Sequence, residues 1–240
     1  MYALFYNVFC CWMVTIIGGT ASRHIILYRD RWMTDRSFAF FWLFASGLWF
    51  FAGLRQVFFF FGLSDLDRWT FYLVQFFLLC HLIPAIIHVV LKVTRNVRVT
   101  KIVLGAMIPF FIGFTFFLFF DGVKEAGSSE WGSEYSVSSH TFWCFLPIFS
   151  VCVIGSVYDF IARLAGLAFG KKFRIELFCA SGAIILYGIA GIFDTKGLVS
   201  DWKFLLIRGS YVLAAFISYT GYYWETEPVF LRDTKERSDL

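Results

Sequence analysis

Charged residues are scarce in this sequence. They make up 16% of the 240 residues, whereas soluble domains carry about a quarter. Hydrophobic residues reach 59%, aromatic residues reach 22%, and the mean hydropathy is +0.71. Disordered chains are poor in aromatic residues, so the composition excludes a disordered protein as well as an ordinary soluble domain. The sequence predicts an all-α integral membrane protein.

Signatures of metal and catalytic chemistry are also missing. The six cysteines form no Cys-x-x-Cys pair and no cluster with metal-ligand spacing, so no metal site is predicted. No arrangement of nucleophile, base and oxyanion donors is visible, so no catalytic residue is assigned and a hydrolytic enzyme comes last among the alternatives. The net charge of +4 fits contact with anionic membrane lipids, and nucleic-acid binding is not expected.

Continuous apolar runs divide the chain into seven segments. A bilayer core about 30 Å thick needs around 20 apolar residues per helix. The predicted spans are residues 2–20, 37–63, 69–93, 102–122, 141–169, 177–194 and 203–224. These runs lack the alternation of barrel strands. The sequence therefore predicts a seven-helix transmembrane domain over residues 1–224 and a short cytoplasmic tail over residues 225–240.

The basic residues predict the orientation, because cytoplasmic loops retain Lys and Arg. Fifteen of them lie at or after the inner ends of spans one, three and five or in the tail, and only four lie on the other side. We therefore expect the N-terminus outside and the C-terminus inside, in a plasma or inner membrane.

The sequence also contains an internal similarity. Residues 44–53 align with residues 179–188 at a shift of 135, and both segments contain Ala-Ser-Gly and end in Gly. The alignment pairs spans one to three with spans five to seven, which predicts parallel repeats over residues 1–93 and 141–224 joined by a linker helix over residues 102–122.

This 3+1+3 layout resembles the seven-helix superfamily that contains SWEET-type sugar transporters, nicotinamide riboside transporters, microbial opsins and the retrieval-signal receptor of the secretory pathway. The resemblance is one of architecture and carries no site residue. Span seven has no Lys at its centre, so a retinal Schiff base of the opsin type is not expected.

Ionisable residues within spans are the default candidates for function, because an unpaired charge in the bilayer is costly. Arg55, Gln56, Gln75 and Arg208 lie at similar depth in the outer parts of spans two, three and seven, and Asp194 lies near the same boundary. If these spans converge, the residues form an outward-facing pocket for a carboxylate, a phosphate or a lipid headgroup. The alternative is that both arginines pair with nearby Asp residues as structural locks.

A second polar pair lies towards the inner side. Asp159 and Arg163 are four residues apart in span five, which favours an ion pair on one helix face. A structural pair and a proton-responsive gate are the two alternatives. The acidic, Ser- and Gly-rich loop over residues 124–140 is expected to be a flexible cover over the outer pocket.

Histidines offer a separate hypothesis. His81 and His88 are two helical turns apart on span three, and His24 lies at the inner end of span one. Haem b binding by such residues needs histidines on two helices at matching depth. Hydrogen-bonded core histidines are the alternative, and no cofactor is the first expectation.

Three functions follow from these candidates. The first is a transporter-like protein that binds a small, anionic solute or lipid in the outward-facing pocket. The second is a seven-helix sensor or receptor, or an accessory subunit of a membrane complex, and the third is a haem-binding redox protein. Expected partners are membrane lipids, the small-molecule ligand, and a second copy of the chain or a partner membrane subunit.

Overall fold

The structure is a computed structural model that describes residues 2–29, 33–168, 175–195 and 202–224. The predicted cytoplasmic tail over residues 225–240 lies outside the described residues. So do Arg31, Lys171, Lys172, Arg174 and Lys196, which entered the prediction of orientation.

Seven helices and one hairpin make up the described part of the chain. The helices are α1 (Tyr2–Arg29), α2 (Met33–Phe60), α3 (Ser64–Thr94), α4 (Val97–Phe120), α5 (Ser139–Ala168), α6 (Ile175–Thr195) and α7 (Trp202–Trp224). Strands β1 (Val123–Ser129) and β2 (Gly132–Val137) lie between α4 and α5. Each of the seven predicted spans corresponds to one helix, although α2 and α4 end before residues 63 and 122, and residue 169 lies outside the described residues.

Within the described ranges, six helices are long and apolar enough to cross a bilayer: α1, α2, α3, α4, α5 and α7. The apolar part of α6, Phe178–Asp194, is shorter. A bundle of long apolar helices is the architecture of a multi-pass membrane protein.

Several helices extend beyond the predicted spans, because polar residues continue a helix after the apolar run has ended. Helix α1 continues past Thr20 to Arg29, and α3 begins at Ser64, before its apolar run. Caps set the turn between α3 and α4. Arg95 adopts a left-handed conformation with φ of 53°, and the Asn96 side chain accepts hydrogen bonds from the backbone N–H groups of Arg98 and Val99. These local caps end one helix and begin the next.

The loop that was expected to be flexible is an antiparallel hairpin. Val123 pairs with Val137 and Ser129 pairs with Gly132, with an irregularity between Glu125 and Gly127. The sequence predicted a flexible cover at this position, and the structure shows a cover made of two paired strands. Composition indicated a polar loop, but cross-strand backbone hydrogen bonds and contacts with the bundle order it.

Helix α2 is the most buried of the candidate spans and packs against α1 and α3. Helix α7 packs against α6 and α1, and α5 packs against α3, α4 and α6. Helix α4 is at the edge of the bundle, since it buries only Thr100, Phe114 and Leu118. We call the end of the bundle that carries the hairpin the hairpin end, and the other the opposite end.

Candidate functional site

A cavity of about 470 Å³ lies beneath the hairpin. All seven helices and both strands contribute residues to its wall. Aromatic residues are the largest group in the wall, and they are Trp49, Phe71, Phe114, Trp131, Tyr135, Phe142, Phe145, Phe149, Tyr187, Phe204 and Tyr211. The size is within the range of small-molecule sites, roughly 300–1,000 Å³.

The five predicted ligand-binding residues all line this one cavity. They are Arg55, Gln56, Gln75, Asp194 and Arg208. Helices α2, α3, α6 and α7 bring them together, because each helix carries its polar residue at the same end of the bundle. Whether the two arginines share a pocket was open from the sequence, and the tertiary structure places both in the same wall.

Arg55 is held by α3 and the hairpin. Its Nε donates to Asp67 Oδ1 at 2.8 Å, and its Nη2 donates to the Ser133 backbone oxygen at 2.5 Å and to Ser133 Oγ at 2.8 Å. The guanidinium carbon lies 5.1 Å from the ring centroid of Phe71 and 5.0 Å from that of Tyr135. These contacts determine the orientation of the guanidinium group, because its N–H donors point in fixed directions within one plane.

Arg208 has a matching environment in the cavity wall. Its Nη1 donates to Asp194 Oδ2 at 2.7 Å, and its Nε donates to Asn7 Oδ1 at 3.0 Å. Its guanidinium carbon lies 4.4 Å from the Phe204 ring centroid and 5.1 Å from the Trp49 ring. The interpretation that the arginines pair with aspartates is therefore correct for Arg208 and Asp194. For Arg55 the partner is Asp67, which the sequence analysis had not singled out.

Polar atoms without partners remain at the cavity. Gln56 Oε1 and Trp131 Nε1 are buried, and neither has a hydrogen-bond partner within the described ranges. In the same part of the chain, no hydrogen bond engages Arg55 Nη1, Arg208 Nη2 or Asp194 Oδ1. Gln56 Oε1 and Trp131 Nε1 are closed off from the cavity, so Arg55 Nη1, Arg208 Nη2 and Asp194 Oδ1 are the atoms that a polar guest could engage.

The hairpin covers the cavity and is fastened to two helices. Asn7 Nδ2 of α1 donates to the Trp131 backbone oxygen at 2.8 Å, and Arg55 of α2 binds Ser133. Gly132 lies directly against the amide of Gln56, where a β-carbon would collide with the side-chain oxygen. Both fastening residues are themselves part of the cavity wall, so the cover and the cavity are one unit.

Sequence reasoning missed three residues of these networks. Asp67 was treated as a loop residue, although its side chain is 2% exposed. Asn7 carries an amide within the apolar run of span one, and Lys92 carries a charge within span three. A polar side chain inside an apolar run was the signal that could have identified Asn7 and Lys92.

At the opposite end, Asp159 binds two cations. Arg163 donates to it through Nε at 2.8 Å and through Nη2 at 2.9 Å, and Lys92 Nζ lies 3.2 Å from Asp159 Oδ2. Ser181 Oγ donates to the same oxygen at 2.5 Å. The predicted Asp159–Arg163 contact is thus part of a larger cluster that joins α3, α5 and α6. We call these four residues the Asp159 cluster.

The histidines lie among aromatic rings. His81 Nδ1 donates to the Phe77 backbone oxygen at 3.2 Å, and His88 Nδ1 donates to the Thr34 backbone oxygen at 2.8 Å. The His24 ring is 5.4 Å from the Tyr223 ring. Such contacts are typical of hydrogen-bonded core histidines, and a haem role stays a prediction. The described ranges contain no group of three or more His, Cys, Asp or Glu residues that could hold a metal ion.

Comparison with protein-family models, with curated proteins and with solved structures gives no match.

Proposed function

We propose that this multi-pass membrane protein binds a small solute carrying an anionic group in the cavity at the hairpin end, and that it acts as a transporter. The observation that carries the proposal is that Arg55 and Arg208 line the same cavity. A guanidinium group matches the geometry of carboxylates and phosphates. In this proposal Gln56, Gln75 and Asp194 orient the bound solute.

The unused donors support a ligand site in addition to a structural role. Each arginine forms one ion pair and still keeps one terminal nitrogen without a hydrogen bond within the described residues. If the two arginine–aspartate pairs had only a structural role, no cavity beside them would be needed. The aromatic wall would enclose the apolar part of a solute, as in most small-molecule sites.

Closures at both ends support a transport role. The hairpin covers the cavity at one end, and the Asp159 cluster joins α3, α5 and α6 at the other. Alternating access requires that one end opens while the other stays closed. We propose that the hairpin end faces outward, in line with the distribution of Lys and Arg.

Native mass spectrometry of the gently extracted full chain tests the proposal. We expect a reproducible added mass of a few hundred daltons on the wild type, because a cavity of this size holds one small molecule. The test variant is the double substitution Arg55→Gln and Asp67→Asn, which removes both charges of the buried pair together. It should lose the added mass and keep its elution volume on size exclusion.

The matched control is Arg68→Gln. Arg68 lies on α3 at the same end of the bundle but is exposed and outside the cavity wall, so this variant should keep the added mass. Equal occupancy in the double variant and the wild type would contradict the proposed site. A chain that carries no small molecule and purifies only with another membrane protein would favour the accessory-subunit alternative.

A further inference from the structure

The charges around the cavity balance one another. Within the described residues, the charged side chains of the wall are Arg55, Asp194 and Arg208. Asp194 compensates Arg208, and Asp67 compensates Arg55 from behind the wall at 2.8 Å. The site therefore combines two cations with two anions.

This balance bears on the charge of the ligand. An ion that enters an apolar site must recover its lost hydration from the protein, and an uncompensated charge there is costly. A ligand with a net negative charge would leave one charge uncompensated in a site that is already neutral. A dipolar ligand of zero net charge adds no such excess and still offers an anion to the arginines.

The wall also provides an acceptor for a cationic group. Asp194 accepts from Arg208 and Tyr211 through Oδ2, at 2.7 and 3.3 Å, and its Oδ1 is not engaged within the described chain. Its side chain is 28% exposed, more than the 12% of Arg208.

Aromatic rings cluster on one side of this carboxylate, beginning with Tyr211, whose hydroxyl donates to it. The Trp49 and Tyr211 ring centroids are 4.4 Å apart, and those of Tyr187 and Tyr211 are 4.9 Å apart. All three rings line the cavity. Arg208 already lies over the Trp49 and Tyr211 rings, and an ammonium group at Asp194 would join the same cluster of aromatic rings, which attract cations.

We infer that the ligand is a net-neutral zwitterion, with an ammonium group at Asp194, a carboxylate or phosphate at Arg55 and Arg208, and an apolar body against the aromatic wall. This inference rests on the proposed function and names the substrate class of that site. Two sources share the chemistry: a free amino acid with an apolar side chain, and the headgroup of a zwitterionic lipid.

Matched probes test the charge of the ligand. L-Phenylalanine, 3-phenylpropionate and 2-phenylethylamine share one aromatic body and differ in their charged groups. Thermal stabilisation of the full chain in a maltoside detergent would be titrated with each. We expect L-phenylalanine to bind at least about tenfold more tightly than either single-charge analogue, because each lost charge-assisted hydrogen bond costs about one order of magnitude.

A lipid arm distinguishes the two sources. The protein is reconstituted in phosphatidylglycerol vesicles with or without phosphatidylethanolamine, and native mass spectrometry measures retained lipid. Retention of phosphatidylethanolamine, lost in the double variant Arg55→Gln and Asp67→Asn and kept in Arg68→Gln, identifies the headgroup as the source. Tight binding of L-phenylalanine identifies the free solute.

The results that would overturn the zwitterionic ligand differ from those that would overturn the cavity as a ligand site. If 3-phenylpropionate binds as tightly as L-phenylalanine, or more tightly, and the double variant loses it, the zwitterion is wrong while the cavity remains a ligand site. If no probe binds and phosphatidylethanolamine is not retained, the inference is overturned. If, in addition, native mass spectrometry shows the same added mass on the wild type and on the double variant, the cavity is not the ligand site.

Asp194→Asn adds an independent readout. It keeps the side-chain shape and removes the negative charge that the ammonium group would meet, so the preference for L-phenylalanine over 3-phenylpropionate should fall by about tenfold or more. An unchanged preference would contradict the assignment of Asp194. Should this variant not fold, the wild-type comparison of the three probes still decides the question.

Discussion

A charged side chain is tolerated inside an apolar bundle when a neighbouring side chain of opposite charge compensates it. Asp159 compensates two positively charged side chains. Its side chain is 9% exposed, and that of Lys92 is 4% exposed. The carboxylate contacts Lys92 and Arg163 from two different helices. Asp159 therefore links α3 to α5 and also neutralises the two buried or half-buried cations beside it.

Asp159→Asn should be strongly destabilising. The substitution takes the carboxylate from two buried or half-buried cations, and breaking a buried pair costs roughly 3–5 kcal/mol. Denaturant or thermal unfolding of the detergent-solubilised chain measures the loss. Asp65→Asn is the matched control, because Asp65 is exposed at the start of α3, and it should change the free energy of unfolding by less than about 0.5 kcal/mol. Equal stabilities of the two variants would contradict the structural role of Asp159.

Gly132 provides a second residue-scale prediction. Its φ of +132° is one that only glycine adopts readily, and a β-carbon would collide with the Gln56 amide. Gly132→Ala should displace the hairpin from α2 and speed tryptic cleavage after Lys124, an exposed residue of β1.

Gly122→Ala is the matched control for this change. Gly122 also has a positive φ, of +70°, but nothing lies within 4 Å of its β-carbon position. It should bear only the backbone strain, about 1–2 kcal/mol. Cleavage at equal rates in both variants would mean that the contact with Gln56 does not hold the hairpin.

At the scale of elements, glycines set how closely helices pack. A β-carbon at Gly53 of α2 would lie 2.6 Å from Trp12 Nε1 of α1, and one at Gly188 of α6 would lie 2.7 Å from Val153 Cγ2 of α5. These two positions are equivalent in the predicted repeat, and each contacts the first helix of its triplet. Gly47 and Gly182 do not match in this way, since Gly47 faces Phe77 of α3 and Gly182 faces Phe160 of α5. The parallel repeat stays a prediction.

The connection from α4 through the hairpin to α5 is closed by a polar contact. His140 Nδ1 lies 3.1 Å from Asp121 Oδ2. Hydrogen bonding from Ser138, followed by that from His140, lowers the pKa of Asp121. The contact joins the residue after α4 to the first turn of α5.

This contact predicts a pH dependence. A carboxyl group whose pKa is lower in the folded state stabilises that state above its unfolded pKa of about 3.9, and the contribution is lost as pH falls through the folded pKa. The melting temperature of the wild type should therefore exceed that of Asp121→Asn near neutral pH, and the difference should shrink below about pH 4. Melting curves of both proteins between pH 7 and pH 3 measure it, and a difference that does not vary with pH would contradict the assignment.

At the scale of the whole molecule, the bundle has a polar network at each end and an aromatic core between them. Phe38, Phe41, Trp42 and His81 are all buried in that core, between the cavity and the Asp159 cluster. The Phe41 and Trp42 rings are 5.1 Å apart. A solute would reach the opposite end only if these rings rearranged.

The orientation in the membrane is open to a direct test. The distribution of Lys and Arg predicts that the hairpin faces outward. A cysteine at the exposed Ser136 of β2 should react with a membrane-impermeant maleimide on intact cells, and one at the exposed Arg95, between α3 and α4, only after permeabilisation. The native cysteines are buried or half-buried within helices, so the unmodified chain is the control. The reverse pattern of labelling would overturn the predicted orientation.

The sequence alone determined the class of the protein and the existence of its helices. Seven apolar runs are visible without any knowledge of packing, because a membrane-spanning helix requires a long apolar segment whatever its neighbours are. The same scarcity of intramembrane charge identified Arg55, Arg208, Asp159 and Arg163 as candidates. Helix ends were less well predicted, since caps and interfacial residues extend a helix beyond its apolar run.

Only the tertiary structure decided which of these residues meet. It placed Arg55 and Arg208 in one wall, paired Arg55 with Asp67, and brought Lys92 of α3 to Asp159 of α5. It also formed a hairpin from a segment whose composition indicates a loop. Hydropathy records where a residue lies along its own helix, but partners and pockets depend on how helices rotate and approach one another, which is set by contacts between residues far apart in the chain.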